Sequence, residues 1–177
     1  MAASPDVSAR ALAWAHIDFS PAQRPPEWWR VALATVASVA LSLAADATLV
    51  AIGTRVFPTT KGYVHFQFHD YAKLTVIGVV IACAAWPVVT RVSSAPRWLF
   101  FRLAILVTLV LWLPDLYILD LGQPARAVAV LMLMHLAIAL VTYNSLVHIA
   151  EVRPLARTGT HARRPARGAD RYAERSM

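Results

Sequence analysis

Four long apolar runs are the feature of this sequence that most constrains its fold. They occupy residues 31–53, 72–90, 98–119 and 127–150. Each run is close to the roughly 20 residues that an α-helix needs to cross the ~30 Å hydrocarbon core of a bilayer. A buried helix of a soluble protein is rarely this long and apolar on every side. We therefore predict an all-α integral membrane protein, built as an antiparallel bundle of four transmembrane helices.

The composition also favours a membrane protein. Hydrophobic residues make up 58% of the 177 residues and charged residues only 15%, whereas soluble domains carry roughly a quarter charged residues. The mean hydropathy is +0.53. The net charge is +7, and a basic excess beside apolar segments favours anionic lipid over nucleic acid as the partner.

The segments that flank the apolar runs differ in charge. Residues 1–30 hold three arginines and three acids and include Trp28 and Trp29, a pair typical of a membrane interface. Residues 151–177 hold seven arginines against three acids and few large apolar side chains, so we predict a disordered tail that lies on anionic headgroups. The lipid-facing basic residues of this tail are predicted to be Arg153, Arg157, Arg163, Arg164 and Arg167.

The distribution of arginine predicts the orientation. Loops rich in Lys and Arg stay on the cytoplasmic side of a membrane. The tail and the region 91–102 are the most arginine-rich connections, and in a chain with four spans they lie on the same side as the N-terminus. We predict a multi-pass protein of the bacterial plasma membrane with both termini in the cytoplasm, which places the connection 54–71 outside.

Three ionisable residues lie inside the apolar runs, namely Asp46, Asp115 and His135. A charge at the centre of a bilayer costs about 2.5–3.5 kcal/mol on insertion scales, so such residues usually face protein or water. Their positions along the predicted helices place all three in the outer half of the membrane. Helical periodicity puts Asp46 on one stripe with Thr35 and Ser42, with Ser38 beside it. We predict an inward-facing polar seam.

Simpler interpretations remain open for the same residues. Asp115 follows Pro114 and is also compatible with a wet position near the interface, and His135 with a neutral, hydrogen-bonded core histidine. Small residues at four-residue spacing favour helix–helix contacts, and they are Ala34, Ser38 and Ser42 in the first run and Gly78 and Ala82 in the second. Periodicity alone does not determine whether the two acids meet the imidazole.

The outer connection contains the stretch "HFQFHDYAK", residues 65–73. Its candidate metal ligands are His65, His69 and Asp70, and a catalytic zinc commonly uses three protein ligands and a water. The alternatives are a site for zinc or another divalent transition metal, and a solvated loop at the membrane surface with no cofactor. No HExxH, GxSxG, P-loop or dinucleotide-binding pattern occurs in the chain, so we expect a non-enzymatic protein.

Each of the four apolar runs contains one short feature that can be compared with known families. They are the late acid of the first run, "DYAKLTVIGVVIA", "LVTLVLWLPDL" and "LMLMHLAIALV". In their order, they resemble a family of small actinobacterial four-helix membrane proteins with no assigned function. The resemblance covers about residues 30–150, and it implies four spans and a membrane location, with no known activity, cofactor or catalytic residue.

Two functions are compatible with these features. A bundle of four spans without internal repeats leaves little room for a wide aqueous path, since transporters commonly have more spans in repeated halves. We therefore expect an accessory or structural component of a membrane assembly, either as a homo-oligomer or with a membrane-protein partner. The alternative is a metal- or proton-binding membrane protein that uses its outer His and Asp residues for ion movement or metal-assisted chemistry.

Overall fold

The computed structural model of the protein describes residues 7–14, 16–17, 19 and 23–154. Its helices are α1 (Val7–Trp14), α2 (Trp28–Val56), α3 (Phe68–Val92), α4 (Pro96–Asp120) and α5 (Ala125–Ile149). The predicted all-α bundle is confirmed. The tail from residue 155 onward lies outside the described residues, and with it the predicted lipid contacts of Arg157, Arg163, Arg164 and Arg167.

The four long helices contain 25 to 29 residues each and are apolar enough to cross a membrane. At 1.5 Å per residue, 25 residues extend roughly 37 Å, which exceeds the hydrocarbon core of a bilayer. The chain is therefore a multi-pass membrane protein. The apolar runs lie inside these helices, except that the last run extends one residue beyond the end of α5. Helices α3 and α4 continue through Pro87 and Pro114.

The helices are arranged so that the first span meets the last. Helix α2 packs most extensively against α5 and also against α3, while α4 packs against α5 and α3. We call the end where α2 and α4 finish the loop end, because the connections 57–67 and 121–124 lie there. The opposite end, where α2 begins and α5 finishes, is the terminal end.

The chain segments that precede and follow the four long helices in the sequence meet at the terminal end. Strand β1 (Gln23–Arg24) pairs in antiparallel fashion with β2 (Arg153–Pro154). Near this pair, the Arg97 guanidinium lies 2.8 Å from the carboxylate of Glu151. The segment before α2, the start of α4 and the segment after α5 are therefore joined at one place.

A cation–π contact holds α1 against the start of α4. The guanidinium carbon of Arg102 lies 3.7 Å from the ring centroid of Trp14 and 3.1 Å from that of Trp98. The two indoles meet edge to face at 6.0 Å. Contacts of this kind contribute about 0.5–2 kcal/mol, more when they are desolvated. The short first helix is thus attached to the start of α4 through Arg102 and through the contact between the two indoles.

The closest approach of two helices occurs between α2 and α5. A Cβ atom built on Gly53 would lie 2.8 Å from a methyl carbon of Val130, so only glycine fits there without a rearrangement. The predicted contact face at Gly78 is wrong, because this residue is exposed and an added Cβ would meet nothing within 4 Å. Helix α3 instead buries Val79 and Cys83.

Candidate functional site

A group of polar residues, one from each of the four long helices, lies in the half of the bundle nearer the loop end. They are Asp46 from α2, Thr75 from α3, Asp115 from α4 and His135 from α5, and we call these four residues the polar cluster. All lie in the half of the bundle nearer the loop end, from five to ten residues from the end of their helix. The sequence predicted this common depth for the three ionisable members.

Asp115 and His135 are in direct contact. The His135 Nδ1 atom lies 3.0 Å from Asp115 Oδ2, and the two side chains are 26% and 8% exposed. The distance is that of an ion pair, although neither atom makes a hydrogen bond of standard geometry to any described residue. Asp115 as a whole is only 5% exposed in the bundle. The interpretation of Asp115 as a wet interfacial acid is therefore wrong.

Asp46 is the most deeply buried acid of the cluster. It has no exposed surface, and Thr75 donates a hydrogen bond of 2.8 Å from its hydroxyl to Asp46 Oδ2. The second carboxylate oxygen, Oδ1, has no hydrogen-bond partner among the described residues. His135 lies within electrostatic range of this carboxylate. The imidazole is thus near two carboxylates, one in contact and one further away.

The connection between α2 and α3 brings two residues within electrostatic range of Asp115. The Tyr63 hydroxyl is buried without a partner in the described part of the chain, and burial and the negative charge of Asp115 raise its pKa above the ordinary value. His65 packs edge-on against Tyr63, with ring centroids 5.3 Å apart, and lies within electrostatic range of Asp115. Two residues of the connection therefore face the cluster from the loop end.

The three residues proposed as metal ligands do not converge in the structure. His69 Nε2 lies 3.2 Å from Asp70 Oδ1, with side chains 62% and 36% exposed, while His65 contacts Tyr63. Within the residues that the structure describes, no three His, Cys, Asp or Glu side chains form a group that could hold a metal ion. The zinc alternative stays a prediction, and metal analysis of the purified protein tests it.

The polar stripe of α2 is rotated from its predicted position. Ser38, Ser42 and Asp46 are fully buried at intervals of four residues. Thr35, which was predicted on this stripe, is half-buried and donates a hydrogen bond to the backbone carbonyl four residues earlier. The buried face is therefore centred on the serines, and Thr35 lies at its edge.

Sequence reasoning did not identify Thr75 and Tyr63 as members of the site. A threonine in an apolar run usually satisfies its hydroxyl on its own helix, as Thr108 does by donating to Ala104. Thr75 donates instead to a side chain on another helix, and no spacing within α3 signals such a partner. Tyr63 belongs to an irregular connection, where periodicity gives no facing direction.

The comparisons with known proteins identify a family and nothing more specific. No curated protein and no solved structure gives a significant match to the chain. One family model matches residues 22–151, a range that includes all four long helices, the polar cluster and the connection above it. This match agrees with the resemblance to a membrane-protein family without an assigned function. The chain belongs to the family of unknown function DUF6069.

Proposed function

We propose that this protein is a non-enzymatic component of the bacterial plasma membrane that binds and releases protons at the polar cluster. The observation that carries the proposal is the 3.0 Å contact between Asp115 and His135 inside a bundle of apolar helices. Ionisable residues within membrane spans are costly and often belong to proton relays or ion pathways. Histidine suits this role because its ordinary pKa lies close to neutral pH.

The charges of the cluster favour the uptake of a proton. With both carboxylates and the imidazole ionised, the cluster carries one net negative charge inside a bundle of apolar helices. One further proton makes the cluster neutral, which a low-dielectric environment favours. Because His135 contacts Asp115 and lies within electrostatic range of Asp46, protonation of either acid alters the environment of the same imidazole.

The charges at the two ends of the bundle support a cytoplasmic position for the terminal end. The terminal end carries Arg24, Arg30, Arg91, Arg97, Arg102 and Arg153, and the loop end carries Arg55, Lys61, Lys73 and Arg126. The more basic end stays in the cytoplasm. On this orientation, which is part of the proposal, the polar cluster lies in the outer half of the membrane and the cytoplasmic face meets anionic lipid.

Infrared difference spectroscopy tests the proton-binding function. Protein reconstituted in liposomes is compared between about pH 8 and about pH 5, the range in which an imidazole changes charge. We expect carboxyl bands that respond to pH in the wild type and that change in Asp115→Asn. Asp120→Asn is the matched control, because Asp120 is exposed at the end of the same helix and its loss should leave those bands in place.

Two results would reject this function. One is a wild-type spectrum without carboxyl bands that respond to pH. The other is a response in Asp115→Asn that equals that of the wild type. A pH-sensitive dye inside the liposomes separates simple binding from transport, because a protein that moves protons across the membrane also changes the internal pH.

The outer face of α4 supports a second candidate, an accessory role in a membrane assembly. This face carries large apolar side chains with high exposure, including Leu106 at 57%, Leu113 at 61% and Tyr117 at 64%. It is covered by lipid, by a second copy or by another membrane protein. Leu113→Cys in a Cys83→Ala background tests the second copy. A disulfide-linked dimer in native membranes supports self-association, and a monomer counts against it.

A further inference from the structure

A column of buried hydroxyl groups continues from the polar cluster toward the terminal end. Ser42 and Ser38 lie about one and two turns before Asp46 on α2, and all three residues are fully buried. Neither serine hydroxyl has a hydrogen-bond partner of standard geometry among the described residues, although the Ser38 hydroxyl lies near the Cys83 thiol. In contrast, Thr35 and Thr48 on the same helix donate to backbone carbonyls. The serine hydroxyls are thus available to another ligand.

Helix α5 adds a further buried hydroxyl to this column. Thr142 is 4% exposed, and its Oγ1 atom also lacks a partner in the part of the chain that the structure describes. Gly53 contacts Val130 where α2 and α5 cross. Ser42 lies eleven residues before this glycine and Thr142 twelve residues after this valine. Since the two helices are antiparallel, Ser42 and Thr142 lie at nearly the same level of the bundle.

Aromatic side chains pack on either side of these hydroxyls along the bundle. Toward the terminal end, Trp86 packs edge to face against Phe100 at 5.1 Å and donates a hydrogen bond of 3.0 Å to the backbone carbonyl of Ala150. Toward the loop end, Tyr63 packs in the same way against Phe66 at 5.2 Å. The unpartnered hydroxyls therefore lie between two aromatic contacts and are themselves buried.

We propose that Ser38, Ser42, Thr142 and Asp46 bind a file of water molecules that carries protons from Asp46 toward the terminal end. A buried water typically makes about three hydrogen bonds to otherwise unsatisfied polar groups, and these four side chains supply such groups. Each water accepts one proton and donates another, so the number of protons in the file is conserved, and the waters turn back to their starting orientation before the next transfer. The proton-carrying part of this inference rests on the proposed function, while the binding of water does not.

Water-edited solid-state NMR on protein in liposomes tests the hydration. The measurement is the rate at which proton polarisation passes from water to a chosen side chain. We expect this rate to be at least about threefold higher for Ser42 and Thr142 than for Val36, because a bound water donates polarisation at hydrogen-bond distance. Val36 is the internal reference, since it faces outward from the same helix with 67% exposure.

A substitution at Ser42 tests whether these residues hold the water. Ser42→Val removes a hydroxyl and fills the space, so polarisation transfer to Thr142 should fall to the rate of Val36. Thr48→Val is the matched control, because this hydroxyl lies on the exposed side of α2 and bonds to its own helix. Ser42→Ala removes the hydroxyl without added volume, and it gives the same readout if the valine variant does not fold.

The possible results separate this inference from the proposed function. If Ser42 and Thr142 receive polarisation no faster than Val36 in the wild type, the column is dry and the inference is overturned. The same holds if Thr142 stays hydrated in both Ser42 variants. A hydrated column without pH-dependent carboxyl bands refutes the proposed function and the proton-carrying role, and it leaves the water site intact. If the carboxyl bands are retained and protons enter liposomes with Ser42→Val more slowly than liposomes with the wild type, the result supports both the proposed function and the water file.

Discussion

Replacement of Gly53 by alanine tests the close approach between the first and last membrane-spanning helices. The new Cβ would lie 2.8 Å from one methyl carbon of Val130 and 3.4 Å from the other, whereas carbon atoms in contact prefer about 3.5–4.0 Å. Val130 is 5% exposed, and a β-branched side chain has one strongly preferred rotamer in a helix. The Val130 side chain therefore cannot change its rotamer at low cost, so α2 and α5 must move apart to accommodate the new Cβ.

The expected loss of stability follows from two opposing effects. Overpacking of a well-packed core typically costs about 1–3 kcal/mol, and a deficit of about 0.7 Å or more from the preferred contact distance places Gly53→Ala in the upper half of that range. Alanine is better than glycine in a helix by about 0.8–1.0 kcal/mol. The net destabilisation should be about 1–2 kcal/mol.

Unfolding of the purified protein in detergent, induced by SDS or by heat, measures this loss. Gly78→Ala is the matched control, because an added Cβ meets nothing within 4 Å there and should leave stability unchanged or raise it by up to about 1 kcal/mol. Adding Val130→Ala to Gly53→Ala should restore part of the lost stability. Equal stability of the two glycine variants would refute the close approach, and additive losses in the double variant would refute the steric cause.

Three further predictions concern single contacts. Thr75→Val should destabilise the protein by about 0.6–1.7 kcal/mol, the range for hydrogen bonds within membrane bundles, because Asp46 loses its hydrogen-bond donor. Thr75→Ser keeps a hydroxyl and should retain the hydrogen bond, and the same unfolding assay compares the two variants. Burial and the charge of Asp115 raise the pKa of Tyr63 above 10.0, so the native state holds that proton more tightly than the unfolded state. This stabilisation is complete below pH 10 and is lost as the pH rises through the raised pKa. The melting temperature should therefore fall less at alkaline pH in Tyr63→Phe than in the wild type. Arg102→Gln should release α1 from the bundle, at a cost of about 0.5–2 kcal/mol, and limited proteolysis should then cut the N-terminal segment faster than in the wild type.

The fold was largely predictable because the bilayer sets the length and polarity of each helix. Every long helix corresponds to one apolar run, and the proline inside α3 and the one inside α4 did not end their helices. The helices begin before and mostly finish after the apolar runs, since backbone hydrogen bonding continues into the interface with residues such as Trp28 and Asp120. The apolar runs alone therefore do not reveal the terminal turns of the helices.

The candidate site was predictable only in part. The depth of a residue in the membrane follows from counting residues along its helix, whereas its contacts depend on which helices are neighbours in the bundle. The common depth of Asp115 and His135 could be read from the chain, but their contact depends on α4 lying beside α5. The stripe on α2 included Thr35 because periodicity alone leaves the rotation of a helix uncertain. The packing against α5 sets that rotation, and it buries Ser38 instead.

The broad contact between α2 and α5 joins two helices that are inserted into the membrane at different stages of synthesis. Helix α2 precedes α3, α4 and α5 in the chain, so its serine face lacks its main partner while α3 and α4 are inserted. A truncated chain that lacks α5 would keep three hydrophobic spans but lose the imidazole and the surface that covers Ser38 and Ser42. Its buried acids would meet lipid or water, at a cost of about 2.5–3.5 kcal/mol for each charge near the bilayer centre. The bundle can therefore bury the polar face of α2 only after α5 has been inserted beside it.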